Sequence, residues 1–127
     1  MGRVIFIGAG PGAADLITVR GAQRLASAEV VLFDALTDPA LRMHAPRARG
    51  IDVGKRGGDH KLTQDQTNQL LVDLAKQGLR VARLKGGDPM IFGRGSEEAE
   101  VLRAAGLQVT YIPGITSAQG AAASTGV

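Results

Sequence analysis

Residues 3–12 read Arg3-Val4-Ile5-Phe6-Ile7-Gly8-Ala9-Gly10-Pro11-Gly12, and this stretch decides the fold. A short apolar run that ends at glycine is the signature of a buried strand. The glycines and proline behind it can continue neither a strand nor a helix, so they form a loop at the strand's carboxyl end.

Outward from this stretch the same unit recurs. Residues 15–26 predict a helix, with Leu16, Val19, Ala22 and Ala26 on its inner face and Thr18 or Asp15 as its cap. Residues 29–33 form a second apolar strand that stops at Asp34. Residues 39–45 predict a short helix, and residues 51–53 a third strand that runs into Gly54-Lys55-Arg56-Gly57-Gly58. Thr63 and Gln66 have capping-box spacing, Thr67, Leu70, Leu71 and Leu74 form an inner face, and Gly78 ends that helix.

Residues 80–84 are a fourth strand, followed by Gly86-Gly87-Asp88-Pro89. Ser96 is placed to cap a third long helix, with Glu97 and Glu98 in the first turn, where the helix dipole favours acids. Its inner face is expected at Val101, Leu102 and Ala105, with Gly106 as its stop. Residues 109–112 form a fifth strand, Pro113-Gly114 turns the chain, and Thr116 or Ser117 opens an Ala-rich helix.

Short apolar strands alternating with helices imply a three-layer αβα domain on a five-stranded, mainly parallel sheet. Ligands of such sheets bind at the carboxyl ends of the strands. The Gly-rich and polar loops all follow strands, so they are expected to gather on one rim.

Composition narrows the class. The 127 residues are 44% hydrophobic and 21% charged, which suits one domain and excludes a disordered chain. The 18 glycines are about twice the average share, and they cluster where apolar runs end. A net charge of +3 with 3% aromatics offers no stacking platform for nucleic acid, but the mild positive bias suits a polyanionic small molecule. Without cysteine there is neither a disulfide nor a thiolate metal site, and no His and carboxylate cluster has metal-ligand spacing, so no metal is expected. No apolar run reaches about 18 residues, and the first residues lead straight into a strand. Neither a membrane span nor a signal peptide is therefore expected, and the cytoplasm is the expected location.

The first loop also matches a dinucleotide fingerprint. Gly8, Gly10 and Ala13 follow a strand, and Asp34 lies roughly 20 residues on, where a ribose-binding acid belongs. This alternative makes the chain a nicotinamide or flavin oxidoreductase domain. It requires a helix that begins within the glycines, so that its N-terminus meets the pyrophosphate. Pro11-Gly12 interrupts there, and the better cap lies later.

Five segments, in order and at near-normal spacing, resemble the uroporphyrinogen-III C-methyltransferases. They are Gly8-Ala9-Gly10-Pro11-Gly12 with Asp15-Leu16 and Thr18; residues 30–36, Val-Val-Leu-Phe-Asp-Ala-Leu; Val53-Gly54-Lys55-Arg56 with His60, Gln66 and residues 68–71; residues 83–98, Arg-Leu-Lys-Gly-Gly-Asp-Pro-Met-Ile-Phe-Gly-Arg-Gly-Ser-Glu-Glu; and Pro113-Gly114-Ile115-Thr116-Ser117-Ala118. The fourth is highly specific and the first alone is weak. Ser96 stands where glycine is common in the family, and Met90 where phenylalanine or valine is common.

The resemblance implies a fold of two αβα domains with the cofactor folded between them. Residues 1–127 would be the amino-terminal domain, with the second domain absent and the fragment alone inactive. The chain's stop at Gly126-Val127, within its last helix, is expected for such a fragment. The implied reaction is S-adenosylmethionine-dependent methylation of uroporphyrinogen III to precorrin-2, leaving S-adenosylhomocysteine, on the route to sirohaem and cobalamin. The implied assembly is a homodimer.

Carried over by resemblance, Asp34 is the candidate base and Lys55 a proton donor or substrate-orienting cation. Gly86, Gly87 and Asp88 form the cofactor loop, with Asp88 toward ribose or amino groups and Ile91 against adenine. Thr116 and Ser117 hold the cofactor or cap a helix, and Pro11 lies at the floor of the cleft. Arg56 could grip a substrate carboxylate through its planar fork. His60 is a loop residue that could contact substrate, and His44 is read as surface.

Overall fold

In a computed structural model, residues 2–10, 16–33, 43–54, 62–85 and 95–114 are described. The elements run β1 (Arg3–Gly8), α1 (Val19–Ala26), β2 (Val30–Phe33), β3 (Arg49–Asp52), α2 (Gln64–Lys76), β4 (Arg80–Lys85), α3 (Gly95–Ala104) and β5 (Gln108–Ile112). The strands form one sheet in the order β3-β2-β4-β1-β5. Every pair of neighbours is parallel, so all five carboxyl ends lie on one rim.

The strand order explains why helices cover both faces. The β1-to-β2 connection travels in one direction along the sheet, whereas β3-to-β4 and β4-to-β5 travel in the other. Crossovers share one hand, so connections of opposite travel must lie on opposite faces. The packing agrees. Leu25 of α1 packs with Ile7, Val31, Ala82, Leu84 and Ile112. Leu71 and Leu74 of α2 and Ala99 and Leu102 of α3 pack with Val4, Phe6, Val30, Leu32 and Val81. Successive strand residues alternate between the two cores, as the strand period of 2 requires.

Local signals place the helix ends. Thr63 caps α2: its hydroxyl accepts from the Gln66 N–H, and the Gln66 side chain accepts from the Thr63 N–H, which completes the capping box. The Thr18 hydroxyl accepts from the Gly21 N–H and caps α1. Gly78 and Gly106 adopt left-handed φ values of +83° and +81° just past α2 and α3, where the chain must reverse.

Three expectations are corrected. Helix α1 starts at Val19 rather than at residue 15, and its inward residues are Gly21 and Leu25, not Leu16, Val19, Ala22 and Ala26. Val19 is 75% exposed. Gly21 faces the sheet because α1 lies so close to β1 that a Cβ there would sit 3.1 Å from the Ile7 side chain. On α3, Leu102 is buried, but Val101 is 40% exposed, and the inward stripe runs instead through Glu98, Ala99 and Leu102. Helix α3 also begins at Gly95, so Ser96 lies within its first turn rather than ahead of it. The helices expected over residues 39–45 and after residue 116 lie wholly or largely outside the described residues.

Candidate functional site

The candidate positions Pro11, Asp34, Lys55, Gly86, Gly87, Asp88, Ile91, Thr116 and Ser117 all lie outside the described residues, as do Arg56 and His60. What is described is the point of departure of each segment. Phe33, the residue before Asp34, ends β2. Gly54, the residue before Lys55, lies just past β3, and its N–H donates to the Asp52 carboxylate at 2.9 Å, a local turn of the kind aspartate favours. Lys85, the residue before Gly86, ends β4. Gly10 precedes Pro11 just beyond β1, and Pro113-Gly114 follows β5. Along the rim the exits therefore stand in the order β3, β2, β4, β1, β5.

The middle of this rim is a switch point. β4 and β1 are neighbours, and their onward connections leave in opposite directions over opposite faces. Such a reversal opens a crevice beyond the carboxyl ends, where doubly wound sheets bind their ligands. The two exits are tied together beyond the strands: the Ala9 N–H donates to the Lys85 carbonyl at 2.6 Å. Similarly, the Val53 N–H donates to the Phe33 carbonyl at 2.9 Å and joins the β2 and β3 exits.

Gly10 has a φ of +82°, and a Cβ added there would lie 2.8 Å from the Leu16 carbonyl oxygen. The Leu16 backbone thus fills the direction a side chain would take, and only glycine fits at this position beside the switch point. Among the described residues the first α-helix opens at Thr18, eight residues past Gly10, whereas the dinucleotide fingerprint needs a helix that starts within the glycines.

Beneath the rim, on the α2 and α3 face, lies a group that the sequence reading did not single out. The Glu98 side chain is 0% exposed and accepts from Lys85 Nζ at 3.3 Å and from Arg83 Nε at 3.4 Å. Gln64 Nε2 donates to the same carboxylate at 3.0 Å and to Asn68 Oδ1 at 2.9 Å. Two cations on one face of a strand buried between helix layers were the available signal, since such strands are ordinarily apolar throughout.

At the opposite rim, an open cleft of about 760 Å³ has Arg47, Arg49 and Arg80 on its walls. It faces the amino ends of the strands, the rim opposite the strand exits. Its Arg80 is engaged by the Ser27 carbonyl at 2.8 Å and by Glu29 at 3.7 Å. Among the described residues, no group of three or more His, Cys, Asp and Glu side chains could hold a metal, and no helix is long and apolar enough to cross a membrane.

Comparison with known proteins gives a consistent result. A siroheme synthase of Actinobacillus pleuropneumoniae is 52% identical over 128 residues, covering 100% of this chain and 26% of that protein. A siroheme synthase of Pseudomonas fluorescens is 55% identical over 127 residues, covering 99% of this chain and 27% of that protein. The chain therefore spans about a quarter of the length of these relatives. The crystal structure of a uroporphyrin-III C-methyltransferase from Thermus thermophilus superposes with a TM-score of 0.87 at 42% identity, over 99% of this chain and 53% of that one. A structure of the Thermus thermophilus methyltransferase complexed with S-adenyl homocysteine superposes with a TM-score of 0.79, also at 42% identity, over 91% of this chain and 49% of that one. The family model of the tetrapyrrole (corrin/porphyrin) methylases matches residues 3–127, and the chain belongs to that family.

Proposed function

We propose that this chain is the amino-terminal domain of an S-adenosylmethionine-dependent methyltransferase that converts uroporphyrinogen III to precorrin-2, the entry to sirohaem and cobalamin synthesis. The observation that carries this reading is the convergence of all five strand exits on one rim, in a chain 42% identical to a uroporphyrin-III C-methyltransferase.

When bound, S-adenosylmethionine supplies an electrophilic methyl group on a sulfonium. The chain's part is to hold the two reactants in line and keep water out. In this reading Pro11, Gly86, Gly87, Asp88, Ile91, Thr116 and Ser117 hold the nucleoside and its amino-acid tail. Glycine at 86 and 87 lets the backbone come close, and Asp88 accepts from ribose hydroxyls or the amino group. Asp34 takes the proton that the macrocycle loses after methylation. Lys55 orients the acidic substrate or returns a proton. Cofactor contacts from a second domain complete the cleft, and the native-length enzyme is a homodimer.

Calorimetric titration with S-adenosylhomocysteine and, separately, with NAD tests the cofactor. Binding of NAD in preference to the thioether nucleoside overturns the reading. In the native-length protein, normal turnover by Asp34→Asn removes aspartate 34 as the base, and sedimentation tests the dimer.

A further inference from the structure

The Glu98 junction holds together three elements: Arg83 and Lys85 come from β4, Glu98 from the first turn of α3, and Gln64 with Asn68 from α2. Its charged side chains are almost fully buried, with Arg83 6%, Lys85 10% and Glu98 0% exposed. Burying charges costs about as much as their mutual attraction returns, and a well-packed apolar set of the same volume is commonly as stable or more so. Stability therefore does not account for the cluster. What charged partners add over apolar ones is direction. Each donor must meet a carboxylate oxygen at hydrogen-bonding range, so α3 can neither slide nor rotate against β4 without breaking the set.

The junction also has a telling place in the chain. Lys85 is the last residue of β4 and Glu98 lies one turn into α3, so one carboxylate fixes both flanks of the segment 86–94. The same end of β4 is tied through the Lys85 carbonyl to Ala9, next to Gly10 at the β1 exit.

We propose that Glu98 is a positioning residue for cofactor binding: through Lys85, Arg83 and Gln64 it sets the separation and angle of the two ends from which segment 86–94 is strung. This rests on the reading of Gly86, Gly87, Asp88 and Ile91 as cofactor-binding. Glu98 itself touches no cofactor. It acts through the geometry of β4 and α3, and a misplacement of about 1 Å in such a frame costs on the order of 100-fold in rate.

The test uses the native-length protein with S-adenosylhomocysteine as the calorimetric probe and S-adenosylmethionine in turnover. Glu98→Gln is expected to weaken thioether binding by roughly 10-fold or more and to raise KM for S-adenosylmethionine more than it lowers kcat. Leu102→Ala, one turn further along the same buried face, lowers the melting temperature but leaves the Kd within about 2-fold, because it removes packing and not direction. Should Glu98→Gln not fold, the volume-matched triple variant Arg83→Met/Lys85→Met/Glu98→Met takes its place and is expected to fold and still bind poorly. Normal thioether binding by either folded variant overturns the proposal while leaving the cofactor reading intact, as does equal loss of binding in Leu102→Ala. Failure of the unmodified protein to bind the probe overturns both.

Discussion

Phe6 and Tyr111 meet edge to face, with ring centroids 5.2 Å apart and planes at 86°. They are register partners on β1 and β5, and the Arg103 guanidinium of α3 stands 5.8 Å from the Tyr111 ring centre. The edge strand is thereby fastened to the sheet's central pair by an aromatic contact on the α3 side. Such a contact is worth about 0.5–1.5 kcal/mol beyond its burial.

Burial pushes the Tyr111 phenol above its usual 10.0, while Arg103 pulls it back. The chain has one tyrosine and no tryptophan, so alkaline absorbance reports this group alone. The native midpoint is expected above that of the urea-unfolded chain, and Arg103→Ala is expected to raise it further. Because the folded value is the higher, the stability Tyr111 contributes is complete below about pH 10 and is lost as pH rises through the folded value. A native midpoint at or below the unfolded one contradicts this.

Two glycines of similar conformation separate strain from crowding. Gly106 and Gly10 have φ of +81° and +82°, but a Cβ at Gly106 meets open space, whereas one at Gly10 lies 2.8 Å from the Leu16 carbonyl oxygen. Gly106→Ala should cost about 1–2 kcal/mol in urea denaturation, the left-handed penalty alone. Gly10→Ala should cost clearly more, and equal costs would refute the crowding of Gly10 against Leu16.

Neighbouring residues on α3 test which stripe faces the sheet. Leu102→Ala should destabilise by about 2–5 kcal/mol and Val101→Ala by no more than about 0.5 kcal/mol. Similar losses at both positions would restore the stripe through Val101 that periodicity alone suggests.

The reciprocal cap at the start of α2 isolates a local contribution. Thr63→Ala should lower stability by about 1 kcal/mol, and Thr63→Ser should keep most of it, because serine can accept from the same Gln66 N–H. The comparison is of denaturation midpoints at constant slope.

Local and repetitive features are legible in the amino-acid order alone. Apolar runs ending at Gly8, Asp34, Gly54 and Gly86 announced parallel strands whose loops share a rim, and Thr63 with Gln66 announced the start of α2 to the residue. It also carried the family, through the long run at residues 83–98. Tertiary structure alone decided the strand order, and with it which helix covers which face. It decided that α1 turns Gly21 rather than Val19 to the sheet, since helical periodicity marks stripes but close approach to β1 selects among them. It decided too that Glu98, which the sequence marks only as a first-turn acid favoured by the helix dipole, is buried against Arg83, Lys85 and Gln64. Those partners lie 15, 13 and 34 residues away along the chain, and a charge can be buried only where folding brings such partners together.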